Sequence, residues 1–156
     1  MPNIDRLAHS LGGLLLVWGL FVQAGAFAAS TATLVLKTDT GDHSFTVEVA
    51  ATEQARALGL MFRRSLPENG GMLFLYDRPR PAAMWMKNTL IPLDMVFIAP
   101  DGRVHRIERN TEPFSTALIS SEGAVAGVLE LNAGATDQIG LKRGDLVIYP
   151  GLGGSQ

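Results

Sequence analysis

At 156 residues the chain has room for one domain, and 13 basic against 15 acidic side chains give a net charge of −2. That balance lacks the basic footprint typical of nucleic-acid-binding domains. The absence of cysteine excludes disulfides, thiol catalysis, thiolate metal sites and a lipid-modified cysteine anchor.

In chain order the first element is a leader. Arg6 precedes the apolar run "LGGLLLVWGLFV" (11–22), which gives way to the small residues "AGAFAAS" (24–30). This is the build of a secretory signal peptide, with Ala26-Phe27-Ala28 as an A-x-A cleavage site. The apolar run is about a dozen residues, short of the roughly 20 that a spanning helix needs. The expected organisation is a cleaved signal peptide over 1–28, a single β-rich domain over 29–150 and a flexible tail over 151–156. The expected location is periplasmic or secreted, with no stable membrane insertion after cleavage.

Beyond residue 30 the chain has mostly a period of two. "TLVLKT" (33–38) and "HSFTVEVA" (43–50) flank the turn "DTGD", a hairpin pattern with Phe45, Val47 and Val49 on its inner face. The period then changes. Ala51, Ala55, Leu58 and Phe62 form a helical stripe over about 52–62, with Thr52 as N-cap, Glu53 in the first turn and Gly59 as a breaker. "MLFLY" (72–76) is a strand, whereas the prolines of "DRPRP" (77–81) predict a loop. "MWMKN" (84–88), "LDMVFIA" (93–99), "VHRIER" (104–109), "VAGVLELN" (125–132) and "DLVIYP" (145–150) complete the strands, with a short helical turn at about 136–141. About eight short strands, one helical insert and no regular β-α-β alternation predict a mainly β fold, a compact sandwich or barrel.

Three stretches carry a resemblance. "RALGLMFRRSLPENGGMLFLY" (56–76), "MWMKNTLIPLDMVFIAPDGRV" (84–104) and "VLELNAGATDQIGLKRGD" (128–145), in that order, resemble the domain of unknown function 192 family. These are small prokaryotic proteins, many of them exported. Its signature falls on Arg56, Gly59, Leu60, Met61 and Arg63, then on Met72 to Phe74. It continues over Trp85 to Thr89 and Pro92 to Asp94, and ends on Glu130, Gly134, Gly144 and Asp145. The resemblance implies a compact, mostly β domain and brings no established activity, substrate or cofactor.

Candidate site residues are chosen by their chemistry. Asp94 interrupts an apolar strand behind Lys87, Asn88 and Thr89, and Pro92 holds Ile91 extended. The carboxylate is expected to close a polar turn onto Asn88 and Thr89, or to orient a ligand in an apolar pocket. Arg56, Arg63 and Lys87 belong to a denser basic set that is either solvated surface or an anion pocket. Trp85 offers an apolar platform. Asp94 and Glu130, each flanked by apolar residues, form a candidate acid/base pair for a glycan if they share a cleft. Met84 and Met86 are soft thioethers suited to copper(I), although methionine is also ordinary core filler. There is no G-x-S-x-G, phosphate loop or dinucleotide fingerprint, so no cofactor is expected.

The favoured expectation is a non-catalytic exported domain that binds a ligand or partner through Arg56, Arg63, Trp85, Lys87, Asn88, Asp94 and Glu130. Its partner would be a small molecule, a cell-wall glycan or an envelope protein. A glycan-active hydrolase or lyase using Asp94 and Glu130 is the alternative, and a copper module using Met84 and Met86 is third.

Overall fold

The computed structural model describes residues 30–153. The expected signal peptide lies outside these residues, as does the end of the expected tail. Among the described residues no helix is long and apolar enough to cross a membrane.

The chain runs β1 (Thr31–Thr38), β2 (Gly41–Ala50), α1 (Glu53–Leu58), β3 (Gly70–Met84), β4 (Leu93–Ile98), β5 (Val104–Glu108), β6 (Ile119–Asn132), α2 (Ala135–Gln138) and β7 (Leu146–Ile148). All seven strands join one curled sheet, a half-barrel, in the order β5-β4-β6-β3-β2-β1-β7. Every pairing is antiparallel except β2 with β3. The curl brings the two edges together at one corner. There Arg103 bridges Leu146, and the Val104 and Val147 amides donate to the carbonyls of Asp145 and Gly102 at 2.8 Å each. The fold is mainly β, as expected, and it is the barrel-like rather than the sandwich form.

Alternation sorts the side chains into two apolar clusters, one on each face. Leu34, Leu36, Phe45, Val47, Leu73, Val96, Leu129 and Leu131 fill the first. Met72, Phe74, Met86, Leu93, Met95, Phe97 and Val128 fill the second. β4 is buried along all six residues because both of its faces are covered, so its apolar stretch reads as a continuous run.

Several elements differ from expectation for identifiable reasons. The "DRPRP" stretch is not a loop but part of β3, whose pairing with β6 jumps from Leu75↔Gly127 to Arg80↔Val125. The extra residues bulge out of the ladder, where a proline needs no amide hydrogen. "MLFLY" and the start of "MWMKN" are therefore one strand, giving seven rather than eight. β3 ends at Met84, and Trp85–Leu90 turn away, with the Thr89 amide donating to the Met86 carbonyl at 3.0 Å. The helix is shorter than 52–62. Thr52 caps it by accepting the Ala55 amide at 3.1 Å, and Gly59 stops it at φ 51°, ψ −138°. That conformation suits only glycine, and an added Cβ would lie 3.1 Å from the Phe74 ring. Leu152 is buried against the first cluster, so the domain extends into the expected tail.

Candidate functional site

Asp94 and Glu130 are buried acids on neighbouring strands, and they differ in the face they occupy and in their hydrogen bonding. On β4, Asp94 shares a face with Val96 and Ile98 of the first cluster. It is 0% exposed. Its Oδ1 accepts the Asn110 amide at 2.9 Å. Its Oδ2 accepts the Gly134 amide at 3.1 Å, the Thr136 amide at 3.0 Å and the Thr136 hydroxyl at 2.7 Å. Four donors, one from the loop after β5 and three from the start of α2, nearly fill the capacity of a carboxylate. Asp94 is thus a clip, as one of its two expected roles required, but its partners are not Lys87, Asn88 or Thr89. Those residues come after β3 on the side reached by Leu93 and Met95, and alternation turns Asp94 away from them.

Glu130 lies on β6 opposite Met72 of β3 and Met95 of β4. It therefore belongs to the second face, opposite Asp94. A two-carboxylate glycan mechanism needs both acids flanking one bond. The sheet itself separates these two, which removes that pair as a catalytic device. Glu130 is 4% exposed, and no hydrogen bond to its side chain is formed among the described residues. Burial without compensation pushes its acid up to about 8.

Above Glu130 the second face is open. A hollow of about 160 Å³ is lined by Glu130, Leu60, Met61, Phe74, Met84 and Trp85, with Arg56 and Thr89 at its edge. A second hollow of about 290 Å³ shares Arg56, Phe74 and Met84 and adds Glu53, Tyr76 and Arg80. Together they form one groove between β3 on one side and α1 with its following turn on the other.

Each element positions its contribution. Arg56 is fixed at the end of α1 because its Nη1 donates to the carbonyls of Ala51 at 2.6 Å and Leu75 at 2.8 Å. Its guanidinium lies 5.6 Å from the Tyr76 ring centre, and that of Arg80, carried on the β3 bulge, lies 4.5 Å from the same ring. Neither arginine forms an ion pair among the described residues. Trp85 is 44% exposed at the mouth, with the Lys87 ammonium 5.1 Å from its ring centre.

The other expected residues are employed differently. Arg63 makes a two-pronged ion pair with Glu48, 2.7 Å at each contact, and does not line the groove. Asn88 braces the turn after α1, its side-chain amide donating to the Met61 sulfur at 3.9 Å. At φ 56° its carbonyl accepts the Phe62 amide at 2.9 Å. Met84 borders the groove, whereas Met86 is fully buried and its sulfur accepts the Thr111 hydroxyl at 3.2 Å. Those two thioethers do not line one cavity, so they make no copper pair.

Sequence reasoning missed Tyr76, grouped Thr89 with Asp94 rather than with Glu130, and placed Arg80 in the basic set without singling it out. It also missed two strained aromatics beside the 85–90 turn. Phe62 (φ 64°) and Phe114 (φ 64°) hold left-handed conformations that bulky residues avoid, yet both are exposed. Their amides are pinned to Asn88 and Thr89, which sets two exposed aromatics on either side of the 85–90 turn. No local signal announces this, since the strain comes from contacts between three separate loops.

A family model for DUF192, described as "Uncharacterized ACR", matches residues 34–149. A Sinorhizobium meliloti protein described as a candidate transcription regulator is 44% identical, with a TM-score of 0.79 over 82% of this chain and 100% of that chain. A protein of unknown function from Novosphingobium aromaticivorans is 38% identical, with a TM-score of 0.75 over 76% of this chain and 85% of that chain. No curated protein matches.

Proposed function

Because the chain belongs to the DUF192 family, for which no activity is established, we propose a function from the groove itself: a ligand- or partner-binding domain without catalysis. The observation that carries this proposal is Glu130. Buried polar groups in folded proteins are nearly always hydrogen-bonded, whereas the nearly buried Glu130 carboxyl forms no hydrogen bond among the described residues and keeps a narrow opening onto the groove. Asp94, on the neighbouring strand, is fully satisfied. Glu130 instead stands at the floor of an open groove, where a bound molecule would supply the missing partner.

In this reading Arg56 and Trp85 contribute the wall and mouth of the groove, and Lys87 stands over Trp85. Asp94, Arg63 and Asn88 serve the fold that holds the groove in shape. The leader pattern over 1–28 supports placement in the cell envelope, where small molecules, wall glycan fragments and envelope proteins are available. The regulator description of the Sinorhizobium protein gains no support from this chain's net charge of −2, which lacks the electrostatic footprint for DNA.

A thermal-shift screen against wall fragments, carboxylates, amines and metal ions tests the proposal, with Glu130→Gln and Trp85→Ala in parallel. A ligand that binds the native fold raises its melting temperature. A hit should lose most of its shift in Trp85→Ala and change in Glu130→Gln. Hits indifferent to both substitutions would place binding elsewhere and defeat the proposal.

A further inference from the structure

The groove's two halves have different chemistry, and the difference points to a ligand class. One half is apolar, with Leu60, Phe74, Met84 and Trp85 around the Glu130 carboxyl. Its volume of about 160 Å³ admits a short branched or aromatic group rather than a long chain. The other half carries two guanidinium groups directed at one ring, Arg56 and Arg80 on Tyr76. Each guanidinium gains a cation–π contact with the ring, and neither has an ion-pair partner among the described residues, so the pair presents uncompensated positive charge to the groove. Guanidinium N–H groups match a carboxylate's two oxygens, and Arg56 still has Nε and Nη2 beyond its two backbone contacts. The two halves meet at Met84 and Arg56, which line both.

We propose that the groove binds a compact amphiphilic carboxylate, its apolar group against Trp85 and Met84 and its carboxylate on Arg80 and Arg56. The proposal rests on the groove being the binding site and adds the class of ligand. Glu130 donates its proton to a carbonyl or second oxygen of the bound molecule, which gives the buried acid its partner. Such a ligand comes from two sources, a free short-chain acid or the C-terminal residue of a peptide, and both present the same groups.

Charged and titratable groups around the site come from three elements: Glu53 and Arg56 on α1, Tyr76 and Arg80 on β3, and Glu130 on β6. Lys87 stands over Trp85 at the mouth. Burial raises the Tyr76 phenol, although Arg80 and Arg56 oppose the shift. Glu130 is consequently the group whose ionisation would set a second negative charge beneath the ligand as pH passes about 8.

The experiment is amide NMR titration of the full chain with four probes: hexanoate, N-acetyl-leucine, N-acetyl-leucinamide and hexylamine. Shifts should map to Trp85, Met84 and Arg80 for the two carboxylates, and the amide and the amine should bind at least about tenfold more weakly. The tighter of the two acids identifies the source. Arg80→Ala is the informative variant, because Arg80 is exposed on a bulge whereas Arg56 also braces two backbone carbonyls. It should weaken both acids about tenfold. Raising pH from about 6 to 9 should weaken binding in the wild type and leave Glu130→Gln nearly level. Hexylamine or the amide binding at Trp85 while the acids do not would overturn the ligand class and leave the groove standing. Acids that bind equally to Arg80→Ala would also overturn it. If no probe moves the groove resonances, the ligand class fails, and the groove itself is decided by the thermal-shift screen with Trp85→Ala and Glu130→Gln.

Discussion

Replacing Glu130 with glutamine should change how stability depends on pH, and the structure sets the direction and scale. Burial raises the acid from an ordinary 4.5 to about 8. The unfolded chain has no such burial and releases the proton near the ordinary value. Between those limits the folded protein holds one more proton than the unfolded chain, so stability falls as pH rises through the window. At about 1.4 kcal/mol per pH unit, the whole window is worth at most about 5 kcal/mol. Glutamine keeps the shape and a donor but does not titrate. Urea denaturation at several values between about pH 5 and 7.5 should therefore show Glu130→Gln gaining on the wild type by about 1.4 kcal/mol per unit. A constant offset from the buried amide does not affect that slope. All other carboxylates titrate alike in both proteins and cancel in the difference. Parallel stability curves would refute the claim that Glu130 is buried as a neutral acid.

Asp94 responds in the opposite sense. Asp94→Ala strands the amides of Asn110, Gly134 and Thr136 together with the Thr136 hydroxyl. It should lower stability by about 4 kcal/mol and remove hydrogen-exchange protection first from those amides. A loss below about 1 kcal/mol would contradict the role of a clip. Phe62→Asn should raise stability by about 0.5–1 kcal/mol in thermal melts, because asparagine tolerates φ 64° and Phe62 is 65% exposed. A drop would show that the ring packs more than its exposure indicates. Arg63→Ala should cost no more than about 1 kcal/mol, and less in high salt, since its pair with Glu48 is partly open to solvent. It should also leave ligand binding unchanged by calorimetry, unlike Arg80→Ala.

Local rules made much of the fold legible. The β1–β2 hairpin, the Thr52 cap, the glycine stop at Gly59 and the mainly β character all depend on residues close in the chain. The prolines of "DRPRP" misled because their rule concerns ladder amides, and the β3 bulge takes most of that stretch out of the ladder. The two buried acids show a deeper limit. Period two places Asp94 opposite its own neighbours Leu93 and Met95, and Glu130 opposite Leu129 and Leu131. It does not say how β4 and β6 are registered against each other, and only the pairing Met95↔Glu130 reveals that the acids face apart. Asp94's donors arrive from positions 16 to 42 residues away, beyond any local pattern. Tyr76 and Arg80 gain their meaning in the same way, from α1 folding back over β3.

Topology explains why the groove exists at all. β2 and β3 are parallel neighbours, so the chain must cross from the end of one to the start of the other, and α1 with its following turn makes that crossing over the second face. A short helix cannot cover the whole of β3 and β6, and it leaves an opening above Glu130. The turn after β3 borders that opening with Trp85 and Thr89. Had stability alone shaped the strand, a leucine at 130 would match its neighbours Leu129 and Leu131 and remove a penalty of several kcal/mol. Folded domains have only about 5–15 kcal/mol of net stability, so an acid that burial pushes up to about 8 is a burden for structure to carry without a reason. The four donors on Asp94 show that this fold can satisfy a buried carboxylate where structure calls for one. At Glu130 the described residues supply none and leave a groove instead, which is the arrangement expected where the partner comes from outside the chain.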